Sequence, residues 1–85
     1  MKTFTQLSPG ARDVILHLRN RKAEPGIEIA ITSLLLEGTQ RKRRIRETLA
    51  AIDECVETGW VDRQLGAPDR VNLSSAGVAM LLFIP

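Results

Sequence analysis

Residues 41–46 read Arg-Lys-Arg-Arg-Ile-Arg, five cations in six positions. Like charges at that density repel, so a helix that carries them gains nothing on its own, and a polyanionic partner removes the penalty. The chemistry available is noncovalent anion recognition. Arginine offers a planar fork that can bond guanine edges in bidentate fashion, while flanking cations hold phosphates. The patch is local: the net charge is +2, and taking these five cations away leaves −3 for the rest of the chain. A mildly acidic body with one concentrated basic run is the electrostatic footprint expected of an anion binder. Thr39 and Gln40, just upstream, add groups able to hydrogen-bond a phosphate, and Arg63 and Arg70 supply two more cations further along.

Other reactive side chains do not assemble into a site. His17 is the only histidine and Cys55 the only cysteine. Neither joins a nucleophile–base set, and no glycine-rich phosphate loop is present. Asp53, Glu54 and Glu57 gather on one stretch, but further metal ligands are missing and a solvated acidic face is the simpler reading. Catalysis, a cofactor and a metal are therefore not expected. A single cysteine excludes an internal disulfide and fits a reducing bacterial cytoplasm. The longest apolar run, Val78 to Ile84, has seven residues, against about 20 for a membrane span.

The elements that must position the basic run follow from caps and periodicity. Ser8 caps a first helix with Pro9 in its first turn, and Ala11, Val14, Ile15 and Leu18 form its apolar side. Glu24-Pro25-Gly26 stops it. Ile27-Glu28-Ile29 alternates as a short strand. Ala30 to Glu37 reads as a second helix, closed by Gly38 as a left-handed cap. Thr39 then caps a third helix with an apolar stripe of Ile45, Leu49, Ile52 and Val56. Arg43 falls opposite that stripe and is the expected base contact, with Lys42 and Arg46 on one flank and Arg44 on the other. The third helix ends at Thr58-Gly59. Trp60 to Gln64 and Arg70 to Leu73 form a hairpin around Gly66-Ala67-Pro68-Asp69, and Ser74 or Ser75 caps a last helix through Leu82.

Helix, strand, helix, helix, strand, strand is the order of an α+β winged helix-turn-helix. The expectation is one domain over residues 1–85, with a three-helix core, a small antiparallel sheet and a wing hairpin. The second helix of the central pair would enter the major groove. Arg41, Lys42, Arg43, Arg44 and Arg46 would then meet duplex DNA, with Thr39, Gln40, Arg63 and Arg70 in support. The apolar tail 76–85 is expected either to fold back on the core or to contact a second domain, a dimer partner or a replication protein.

Several stretches together resemble the C-terminal winged-helix domain of plasmid replication initiators. QLSPGARDVILHLRNR looks like the start of that domain's first helix. IEIAITSLLLEG is similar to its strand and supporting helix, and GTQRKRRIRETLAAIDECVETGWVDR to its recognition helix and wing strand. The resemblance implies sequence-specific binding to repeated sites at a plasmid origin, with residues 40–46 in the major groove. Family members carry a second winged-helix domain, so the expectation is either a domain fragment or a small stand-alone protein. A winged-helix repressor and a winged-helix protein-interaction module are the alternatives.

Overall fold

Ser8 starts the first helix as its type predicts. In the computed structural model, which describes residues 1–84, its hydroxyl accepts the Ala11 N–H at 3.2 Å. Helix α1 runs Pro9–Asn20 and buries Ala11, Val14, Ile15 and Leu18. Left-handed residues at Lys22 (φ 54°) and Gly26 (φ 92°) then turn the chain back. Strand β1 is Ile29–Ala30, later than the alternating pattern suggested. Ile27 is exposed instead, in a turn closed by its N–H to Glu24 O at 2.8 Å.

Helix α2 spans Ile31–Gln40, which corrects the reading of Gly38 and Thr39 as a helix break. Gly38 lies buried inside α2, where an added Cβ would run into the Thr48 hydroxyl. Its smallness serves close helix approach rather than a left-handed cap. The cap falls on Lys42 instead (φ 62°). Lys42 N–H bonds Thr39 O at 2.9 Å and Arg43 N–H bonds Gly38 O at 2.8 Å, the two crossed bonds of a Schellman ending. A lysine in this conformation costs about 1 kcal/mol relative to glycine, which is why residue type did not announce the turn. The Thr39 hydroxyl donates back to Leu35 O at 3.0 Å, so it caps no following helix.

Helix α3 is Ile45–Glu57. It buries Thr48, Ala51, Ile52 and Cys55, a face rotated by roughly 80° from the expected stripe. Of that stripe only Ile52 is core; Ile45 is 57% and Leu49 38% exposed. Apart from Ile52 the core side consists of small residues, because α1 crosses it closely: a Cβ on Gly10 would sit 3.3 Å from the Ala51 Cβ. Cys55 donates to Ala11 O at 3.5 Å, and burial pushes its thiol pKa up to about 12.

Thr58 and the left-handed Gly59 (φ 87°) end α3. Strands β2 (Val61–Arg63) and β3 (Arg70–Leu73) follow. The antiparallel sheet has the order β1-β3-β2, with Ile29 opposite Val71 and Val61 opposite Leu73. Trp60 is fully buried; its indole N–H donates to Lys2 O at 2.8 Å and Phe4 packs edge-on against it. Ser74 caps α4 (Ser75–Met80), and a 3-10 turn, Leu81–Phe83, continues it. The tail does partly fold back, since Val78, Met80, Leu81 and Ile84 pack on the core, while Leu82 and Phe83 stay exposed. Pro85, the last residue of the expected tail, lies outside the described residues. The result is a compact α+β fold compatible with a winged helix. Among the described residues no helix is long and apolar enough to cross a membrane.

Candidate nucleic-acid interface

Because α3 begins at Ile45, four of the five clustered cations precede it, and only Arg46 lies on the helix. Arg41, Lys42, Arg43 and Arg44 form the turn between α2 and α3. The expected single front of five cations on the opening turns of one helix is therefore not what the fold builds.

Two members of the run are held by carboxylates. Arg43, expected to point at bases, turns back across the core edge to an ion pair with Asp13 of α1, and its side chain is only 24% exposed. Arg41 bonds Glu37 at 2.7 Å, with Asp13 at 3.9 Å. The bond it donates to Glu37 and the field of Asp13 raise its pKa. Glu37 also faces His17 Nδ1 at 3.7 Å, while His17 Nε2 is 3.0 Å from the Ser33 hydroxyl. Burial lowers the His17 pKa, opposed by Glu37 and reinforced by Arg21 and Arg41. Asp13, Glu37 and His17 thus anchor the turn to α1 and α2.

Lys42, Arg44 and Arg46 are exposed, and among the described residues none has a carboxylate within ion-pair distance. Arg44 is the N-cap of α3, and the Glu47 carboxylate accepts its N–H at 3.1 Å. At about 100° per residue, Arg46 lies almost opposite the buried face of α3. Leu49 and Ala50, both exposed, sit one turn further on, on either side of it. Asp53 follows on the same face, 3.6 Å from Arg63 of β2, and links α3 to the β2–β3 hairpin. On the far flank the Glu54 carboxylate accepts the Ser8 N–H at 2.9 Å and the Ser8 hydroxyl at 2.7 Å. Those bonds hold its pKa below the ordinary carboxylate value and brace α3 against α1.

No protein-family model, curated protein or solved structure matches this chain. Its functional reading therefore rests on the surface just described.

Of the residues singled out from sequence, Lys42, Arg44 and Arg46 lie together at the leading edge of α3. Thr39 and Gln40 end α2 nearby and are exposed. Arg70 opens β3, exposed. Arg63 is tied to Asp53 rather than free. Sequence reasoning missed Leu49 as an outward group, having placed it in the core. It also missed Asp13 as the partner of Arg43. Asp13 lies 30 residues away, and no local spacing signals that pairing.

Proposed function

We propose that this chain is a winged-helix module that binds double-stranded DNA through the outer face of α3. The observation that carries the reading is the position of Lys42, Arg44 and Arg46, exposed and free of carboxylates, at the N-terminal edge of the second helix of a helix-turn-helix pair. In that arrangement the leading residues of the second helix meet base edges, and the turn before it meets the backbone. Lys42 and Arg44 hold phosphates, Arg46 reaches into the groove, and Arg70 on the hairpin adds a backbone contact. Glu47, Asp53 and Glu57 keep the rest of α3 from gripping phosphates. The grip is confined to one end of the helix, and binding carries a moderate salt dependence.

Titration with duplex DNA at several salt concentrations tests this. Three phosphate contacts give a log–log slope of about −3. No binding at low salt, or binding indifferent to salt, overturns the proposal.

The narrower reading, recognition of repeated sites at a plasmid origin in a bacterial cytoplasm, rests on the resemblance of Leu7 to Leu73 to replication initiators. A monomer on direct repeats supports it. The exposed Leu82 and Phe83 beside Phe4 and Met80 favour a second reading, a repressor that dimerises through its tail. A stable dimer in sedimentation that protects a palindromic site would support that reading instead.

A further inference from the structure

Helix α3 presents an unusual mixture on its outer side. The single arginine there, Arg46, is bordered by Leu49 and Ala50 one turn on and by Ile45 beside it. Ile45 is 57% and Leu49 38% exposed, although the rotation of the helix by one residue would have buried them. Apolar side chains left in water next to unpaired cations are complementary to an anionic surface with methyl groups set into its floor. The major groove of DNA is such a surface, since thymine presents its C5-methyl group there and guanine two acceptors on the same edge. On the next turn of the helix Asp53 lies 3.6 Å from Arg63 of β2, an ion pair that draws its carboxylate toward the hairpin.

We infer that this face reads thymine methyl groups through Leu49 and Ala50 around a guanine held by Arg46, so that the preferred duplex places dT next to dG. The inference rests on the DNA-binding reading and sharpens it. Lys42 and Arg44 set the register on the backbone and carry no sequence information. Ile45 lies at the rim, where it excludes water from the Leu49 contact.

The test uses the whole chain and a pool of short random duplexes, from which wild-type protein selects its preferred sequences. The best of these is remade with dU in place of dT, which removes only the methyl groups and leaves the protein untouched. Affinity should fall about fourfold for each methyl in contact. The Leu49→Ala variant should lose part of that discrimination, with its circular dichroism unchanged. Arg46→Ala should lose the preference for dG by about five- to a hundredfold. Salt-dependent binding with equal affinity for the dT and dU duplexes overturns this inference and leaves the DNA-binding reading standing. Failure to retain any duplex at low salt overturns both. Self-association abolished by Leu49→Glu, in the absence of duplex binding, would assign the face to a protein contact and likewise overturn both.

Discussion

Arg43 and Arg46 are three positions apart and identical in type, yet the fold treats them differently. Arg43 is folded inward, paired with Asp13 and largely covered. Arg46 stands on open surface with no carboxylate in reach. The basic turn is thus partly a structural joint, stitched to α1 and α2 by Asp13, Glu37 and Arg41, whereas the outer face of α3 is left unengaged. A count of cations along the chain does not separate these two roles. What separates them is the identity of the group opposite each side chain, and that is a property of the packed helices.

The comparison breaks most severely at Gly38, which sets how closely α2 and the turn approach α3. Gly38→Val drives two methyl groups into Thr48 and should cost about 3 kcal/mol, read from urea denaturation. Both regions would then be lost together. Asp13→Ala attacks the turn alone. It strands the largely covered Arg43 and should cost about 2 kcal/mol. The released Arg43 should at the same time steepen the salt dependence of duplex binding by about one unit, while Arg41 stays bonded to Glu37. A variant that is less stable yet grips DNA more strongly is the outcome that separates a joint from a contact.

Single truncations sharpen the same contrast. Arg43→Ala should lower stability by about 1 kcal/mol and leave the salt slope of duplex binding unchanged. Arg46→Ala should alter stability by less than about 0.5 kcal/mol and weaken duplex binding. Equal behaviour of the two variants in a titration would remove the distinction. The smallest effect concerns Glu54, on the braced flank of α3. Its folded pKa is depressed by the two bonds from Ser8, so it contributes stability above its unfolded value of 4.5. That contribution fades as pH falls from there through the folded value. Glu54→Gln should therefore flatten the acid limb of the stability curve below that pH, by less than about 1 kcal/mol for so exposed a group. An unchanged acid limb would show that the brace contributes nothing.

Much of the architecture was legible because local chemistry and tertiary structure agree. Ser8-Pro9, Thr58-Gly59 and Ser74 mark ends that the structure places within a residue of where their types put them. Arg70 to Leu73 is a strand over the same residues. The failures share one cause. Gly38 looks like a helix stop, but it is a contact point for Thr48, a residue ten positions later in another helix. The left-handed turn fell on Lys42, a type that seldom adopts it. Moving that boundary took four cations off the helix. The apolar pattern of α3 was read by size, which favoured Ile45 and Leu49, whereas closeness to α1 selected Thr48, Ala51 and Cys55. Hydrophobicity ranks residues without saying how near the neighbouring backbone comes. Lys42, Arg44 and Arg46 are exposed and, among the described residues, unpaired, as charge alone suggests; Arg41 and Arg43 meet carboxylates that lie in α1 and α2, which no local pattern announces.

Cys55 has a practical corollary. Its sulfur is sealed beneath α1, and a proton affinity near pH 12 leaves almost no thiolate at neutrality. An alkylating reagent can reach it only when the interior opens, and each chain offers one thiol to mark. The labelling rate therefore acts as a clock for excursions of α1 away from α3, blind to ligands that merely sit on the surface and slowed by any that stiffen the whole.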